Sequence, residues 1–321
     1  MWGKGALLAA VAAVLFGAPA PADAATGAVK AARAPCDRAC LEGFVGRYLD
    51  ALVAHDPGRL PLAKSVMFTE NGSPLKLGDG LWGTIEAREA YSLYAADPAS
   101  GQIGFFGTVR ESGRHQILGV RLKIVNRRIA EIETLVVRPK DGVVFGAPQD
   151  LKDKPIFREA LTPSQRRPRA ELVRIANSYF EGLTHATETL TPFDEHCTRI
   201  ENGVVTASNP DPGGGFPVWK LDCHSQFATH FSQFITRIRE RRYPVVDEER
   251  GLVMAFVFFD HAGRMKTQTL ADGTVSKVPA DMTVPFTFEI GELFQIQDGK
   301  IMRIEALVIP APYGMPTPWG R

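Results

Sequence analysis

The chain has 321 residues, enough for two modest domains or one large one at about 100–200 residues per domain and too many for a single small module. Hydrophobic residues make up 45% and charged residues 23%, which excludes a disordered or fibrous chain. With 37 Lys+Arg against 36 Asp+Glu the formal charge is +1, so no field gathers phosphates or anionic lipid, and no nucleic acid partner is expected.

At the start, Lys4 precedes an apolar run, Ala6 to Phe16, and a small-residue stretch ending Pro21-Ala22-Asp23-Ala24. This is the layout of a signal peptide over 1–24, so the mature chain is expected to be exported, periplasmic or secreted, from near Ala25. The run is shorter than the about 20 residues a membrane span needs, and no later stretch reaches that length without charges or Gly/Pro, so no membrane contact is expected after cleavage. Cys36, Cys40, Cys197 and Cys223 are an even number in an oxidising compartment and read as disulfides. The close pairings are Cys36 with Cys40 and Cys197 with Cys223. His196 and His224 adjoin the later pair, but neither a CxxC nor an HxxxH spacing occurs there, so no metal is expected.

Cys40 to Ala54 carries apolar residues at helical spacing and ends at Asp56-Pro57-Gly58, which predicts a helix packed on one face. Val66 to Thr69 leads to the turn pair Asn71-Gly72, with Leu75 to Leu77 as the returning strand. A second helix is expected over Ile85 to Ala95, then strands at Ile103–Val109, Gln116–Val125 and Ile129–Val137. Pro139 to Pro168 is rich in Pro, Asp and Lys and reads as a linker. Beyond it, helices are expected over Arg169–Leu183 and Ser225–Arg241, and strands at Val245–Val246, Leu252–Phe259, Phe286–Ile296 and Ile301–Ile309. Pro310 to Arg321 reads as a surface tail.

The strongest pattern is internal. Arg47-Tyr48-Leu49-Asp50-Ala51-Leu52 matches Ser178-Tyr179-Phe180-Glu181-Gly182-Leu183, and Glu70-Asn71-Gly72 matches Glu201-Asn202-Gly203, both at an offset of 131. Ile129 to Val137 recurs as Ile301 to Ile309 at an offset of 172, so the second copy holds about 41 extra residues. A period this long means a duplicated domain rather than a solenoid with units of about 20–50 residues.

Two copies of helix, hairpin, helix and three long strands, each closing on Ile-x-x-Ile-Glu, resemble the SnoaL-like branch of the nuclear-transport-factor-2-like superfamily. Thr69-Glu70-Asn71-Gly72, Leu77-Gly78-Asp79-Gly80-Leu81-Trp82 and Arg241 to Leu252 look like a secreted SnoaL-like family. The resemblance implies an α+β fold of two tandem cone-shaped antiparallel sheets, copies 36–138 and 169–309, each wrapped around N-terminal helices. It also implies an intramolecular pseudo-dimer, with further oligomers left open. Enzymes of that shape use a dry pocket and one or two acid/base side chains without a cofactor. The expected activity is therefore a cofactor-free lyase, dehydratase or isomerase acting on a small hydrophobic molecule, aromatic ones included. The alternative is a noncatalytic binding or scaffold protein with filled cavities.

Candidate residues follow. Gln226, His230, Gln233 and Arg237 form a polar row on the expected helix, so His230 is an acid/base candidate. Asp260 and His261 end an apolar strand, with Asp260 free to orient His230 or His224. Tyr48 and Tyr179 on the two first helices, Arg237, His224 and Glu201 are substrate-contact candidates, and Asp79 beside Trp82 is a candidate pocket lip. Glu133 and Glu305 are expected on the outer sheet face because their neighbours form the smoother apolar row. With no GxGxxG after a strand, no GxxxxGK[ST] and no GxSxG, neither a nucleotide cofactor nor an elbow serine is expected.

Overall fold

The computed structural model describes residues 1–3, 36–140, 145–213 and 216–320. The expected signal peptide and the mature start near Ala25 lie, beyond residues 1–3, outside the described residues. Among those described, no helix is long and apolar enough to cross a membrane.

Asp37 accepts a hydrogen bond from the Cys40 amide at 2.9 Å and opens helix α1, Arg38–Val53. One face of it, Leu41, Phe44, Val45, Tyr48, Leu49 and Leu52, is buried. The chain continues as β1 (Leu62–Glu70), β2 (Ser73–Pro74), β3 (Ile85–Asp97), β4 (Gln102–Glu111), β5 (Arg114–Val125) and β6 (Arg128–Val137). The second copy runs α2 (Arg169–His185), β7 (Phe193–Glu201), β8 (Val204–Ala207), α3 (Cys223–Ala228), β9 (Arg237–Asp247) and β10 (Leu252–His261). A small hairpin of β11 (Thr267–Thr269) and β12 (Val275–Lys277) then precedes β13 (Phe286–Gln297) and β14 (Lys300–Ala311).

The two six-stranded sheets have the same order, β2-β1-β6-β5-β4-β3 and β8-β7-β14-β13-β10-β9. The offset is 150 at the equivalent pair Asp97 and Asp247 and 172 from β5 and β13 onward. About half of the extra residues therefore lie between β8 and β9, and the rest form the β11–β12 insertion.

Each sheet is mixed, which corrects the antiparallel expectation: β1 pairs parallel with β6, and β7 with β14. After the short edge strand the chain crosses to the opposite edge before its meander starts, so the last strand returns in the direction of the first. The helix expected over Ile85 to Ala95 is strand β3. Glu86-Ala87-Arg88-Glu89-Ala90 favours a helix locally, but ladder pairing with β4 from Ile85↔Glu111 to Asp97↔Gln102 outweighs it. The helix expected from Ser225 to Arg241 stops at Ala228. His230 takes a left-handed φ of 60°, and Arg237 onward pairs with β10, so Val245–Val246 is only the end of β9. The return strand is Ser73–Pro74 rather than Leu75 to Leu77: its pairs are Thr69↔Pro74 and Glu70↔Ser73, and the Leu75 amide adds one last bond to the Phe68 carbonyl at 3.1 Å.

Alternation along each strand makes three apolar layers. Ile132 and Val136 face α1, Ile304 and Val308 face α2, while Leu135, Val137, Leu307 and Ile309 meet in a layer between the sheets. Glu133 and Glu305 point into that middle layer. Glu133 pairs with Arg121 (2.6 Å) and with Arg242 of the other copy (2.5 Å), and Glu305 accepts the hydroxyl of Tyr91 across the boundary.

The linker contributes to the same layer through buried Leu151 and Phe157. The C-terminal segment is a strap rather than a loose tail. Trp319 is buried, donates from Nε1 to Thr69 Oγ1 at 3.1 Å and stacks under the Arg121 guanidinium, while Arg239 donates to the Met315 carbonyl at 2.7 Å. Two disulfides, Cys36–Cys40 and Cys197–Cys223, close as the spacing suggested, and fit folding in an oxidising compartment.

Candidate functional site

The inward row of β13 reads Phe288, Ile290, Glu292, Phe294, Ile296, an apolar face broken by one carboxylate. In the same sheet, beyond β14, β7 turns Cys197 and Arg199 to that face with Glu201 beside Arg199, and α2 adds Tyr179. Glu292 is 2% exposed and Arg199 3% exposed, so two charge-bearing groups lie in the core between α2 and the second sheet. Such groups persist there only when partnered.

The partners are named by geometry. Arg199 Nε lies 2.8 Å from Glu201 Oε1 and 3.1 Å from Thr206 Oγ1. Its Nη1 donates to the Tyr179 hydroxyl at 3.3 Å and its Nη2 to Gln226 Oε1 at 2.7 Å. Gln226, on α3, donates to the carbonyls of Thr206 (2.5 Å) and Val218 (2.9 Å), which seals the cluster from above. Cys223 at the start of α3 ties this cover to Cys197 on β7.

Burial pushes the Glu292 carboxyl up to about 8, and the nearby Glu201 charge adds to the effect against Arg199 and a hydrogen bond from Tyr179. Burial likewise drives the Tyr179 hydroxyl well above its ordinary value. At neutral pH the cluster therefore combines a protonated carboxylic acid, a neutral phenol and a guanidinium balanced by Glu201. That set can donate a proton, take one back near pH 8 and stabilise an oxyanion.

The first copy lacks it. At the equivalent offsets, Phe68 stands for Arg199 and Val120 for Glu292, and both pack in an apolar core with Tyr48, Trp82 and Leu118. Of the residues the sequence singled out, Tyr179 and Glu201 belong to the cluster. Tyr48 is buried edge-on against Trp82, and Asp79 is exposed while Trp82 is 1% exposed, so carboxylate and indole share no lip.

The other candidates are dispersed. Asp260 takes neither His230 nor His224 as a partner. It is bound by Arg237 (2.5 Å), Arg239 (2.8 Å) and Thr287 (2.7 Å), and although burial works against it, these donors hold its carboxyl below the usual range. His261 faces the opposite side, stacked on Phe286 at 4.4 Å, and burial lowers it to about 4, so it is neutral. His230 sits in a turn, its amide donating to the Phe227 carbonyl at 3.0 Å, and His224 is exposed on α3. Arg199 and Glu292 are not among the sequence candidates, yet each left a trace: a charged residue at a position where the other copy is hydrophobic.

Among the described residues no group of three or more His, Cys, Asp or Glu is arranged to hold a metal ion. Residues 165–308 match a family model described as a domain of unknown function (DUF8021). That span takes in α2 and nearly the whole second sheet, and so contains the entire cluster. No curated protein matches the chain.

Proposed function

We propose that the second copy is an exported, cofactor-independent lyase, dehydratase or isomerase, with Glu292 as the proton carrier and Tyr179 and Arg199 as the groups that hold a developing oxyanion on a small hydrophobic substrate. The reading rests above all on Glu292, a carboxyl lifted to about 8 beside a phenol and a guanidinium where the first copy has valine. It also takes the fold to be SnoaL-like, with each helix covering the inner face of its sheet as in the superfamily the sequence resembles. The first copy then serves as the partner half of an intramolecular pseudo-dimer.

In this reading the substrate reaches the cluster when the cover that carries Gln226, α3, swings about the Cys197–Cys223 bond. The test is native mass spectrometry of the exported protein beside Arg199→Phe/Glu292→Val, which installs the residues of the first copy. A small molecule retained by the unaltered chain and lost from the variant is expected, and on the substrate so identified Glu292→Gln should lose about 10²–10⁴ in rate. Identical ligand content in the two proteins would overturn the reading.

A second reading, a noncatalytic scaffold with filled cores, is favoured by the closure of the cluster. Its mark is different: the variant would be as stable as the parent or more so, with no bound molecule in either, since an apolar pair of matched volume often replaces a buried ion pair without loss.

A further inference from the structure

The layer between the copies is not filled alike on its two sides. Glu289 on β13 stands where the first copy has Ile117, and Arg121 on β5 where the second has Leu293. Both apolar residues are buried in that layer, so the architecture does not require the charged ones. Glu289 is 4% exposed, and its Oε2 has no hydrogen-bond partner. A Cβ on Gly72, in the β1–β2 turn of the first copy, would lie 3.1 and 3.2 Å from the two carboxyl oxygens and 2.6 Å from Met315 Cε. Turn, carboxyl and C-terminal strap therefore pack against one another.

The charged groups around Glu289 are engaged elsewhere. From β6 comes Glu133, bound by Arg121 (2.6 Å) and by Arg242 of β9, whose Nη1 and Nη2 both bond it. Arg121 also holds Glu131 (2.7 Å). Asp260 of β10 is held by Arg237 and Arg239, and Glu240 accepts the Thr317 amide at 2.9 Å. The ladder neighbours of Glu289 are Phe258 and Ile309. A carboxyl enclosed in this way beside a second carboxylate favours its neutral form, and burial with the Glu133 charge lifts it to about 8.

The strap itself is attached without a ladder, since Pro312, Pro316 and Pro318 have no amide hydrogen. It is held by the Gly314 amide on Thr287 (2.9 Å), the Met315 carbonyl on Arg239 (2.7 Å), the Thr317 amide on Glu240, and Trp319 on Thr69 (3.1 Å). It can lift without breaking either sheet. We propose that Glu289 is the proton-controlled catch of this strap: protonated, it lies under Met315 beside Glu133 with the strap seated, and ionised, it reaches water only when the strap lifts from the boundary. A charge change at one buried group then biases a two-state element.

The sign follows from linkage. With the strap lifted, Glu289 is in water and titrates near its ordinary 4.5, whereas under the seated strap it holds its proton up to about 8. Between these values the seated state binds the extra proton, so lifting becomes about tenfold more favourable per pH unit and levels off above 8. The experiment is hydrogen–deuterium exchange of the full chain at pH 6 and pH 8, each rate divided by that of an unstructured peptide at the same pH. Over these two units the opening constant of the strap amides should rise about 100-fold in the parent, while amides of β10 stay far better protected. Glu289→Gln, and Glu289→Ile with the residue of the first copy, should each abolish the rise. Protection of β10 shows that a variant is folded, and either folded variant suffices. The proposal is overturned if the parent strap opens equally at both pH values, if a folded variant shows the same rise, or if strap and β10 exchange at one rate, which would assign the opening to global unfolding.

Discussion

Asp97 and Asp247 end equivalent strands, and each is bound by the arginine that opens the other copy's first helix. Asp97 Oδ2 lies 2.6 Å from Arg169 Nη1 and accepts the Val246 amide at 3.1 Å. Asp247 takes Arg38 at 2.7 Å through both carboxylate oxygens and the Ala96 amide at 3.2 Å. Each contact repeats the other with the copies exchanged, as a two-fold interface requires. The two carboxylates are 1% and 2% exposed.

Truncating either aspartate leaves a buried backbone amide at the boundary without its acceptor, while Arg38 keeps Glu249 at 2.6 Å and Arg169 is open to solvent on one side. Asp97→Ala and Asp247→Ala should each cost about 1–3 kcal/mol, the range for a buried donor left unsatisfied. Urea unfolding of the two variants should give nearly equal losses. A loss from only one would mean that the reciprocity is geometric and not energetic.

Trp319 joins the strap to the first copy. Trp319→Ala should lower stability by about 3 kcal/mol, as for a large aromatic removed from a packed site. Removing residues 312–321 altogether should cost more, because it also takes the Met315 carbonyl from Arg239, the Gly314 amide from Thr287 and the Thr317 amide from Glu240. The check is the denaturation midpoint of the two proteins side by side.

Two buried carboxyls tie stability to pH. Burial, together with the neighbouring charge of Glu133, pushes Glu289 up to about 8, and Glu292 reaches about 8 by the parallel route. Both ordinarily titrate near 4.5, so between that pH and 8 the folded chain binds more protons than the unfolded one. Their stabilising protonation is fully present below pH 4.5 and is lost as pH rises toward 8, with a slope of at most about 1.4 kcal/mol per pH unit for each group. Glu289→Gln and Glu292→Gln should each flatten the curve of unfolding free energy in that window, and an unchanged slope would refute the raised values.

His261 should act on the opposite side. Its folded value of about 4 lies below the ordinary 6.5, so its contribution is present above pH 6.5 and is lost as pH falls through 4. His261→Phe, which keeps the stack on Phe286, should remove that acid-side loss and leave any activity intact. Impaired turnover in this variant would return His261 to the catalytic candidates.

The sequence by itself determined what depends on periodicity and self-similarity. The offsets of 131 and 172 disclosed a duplication that the strand orders reproduce, and strand alternation placed Glu133 and Glu305 on the outer face of each sheet, which the structure makes the layer between the copies. The cysteine pairing followed from proximity in the chain. Only the tertiary structure decided the state of Ile85–Ala95 and of Arg237–Arg241, because ladder pairing with β4 and β10 supplies energy that local helix propensity does not register. The site was decided in the same way. Asp260 and His261 are neighbours in the chain and face opposite layers, whereas Arg199, Gln226 and Glu292 are distant in the chain and meet in one core. Which charges share a low-dielectric space depends on how α2, β7, α3 and β13 pack, and no spacing along the chain carries that information.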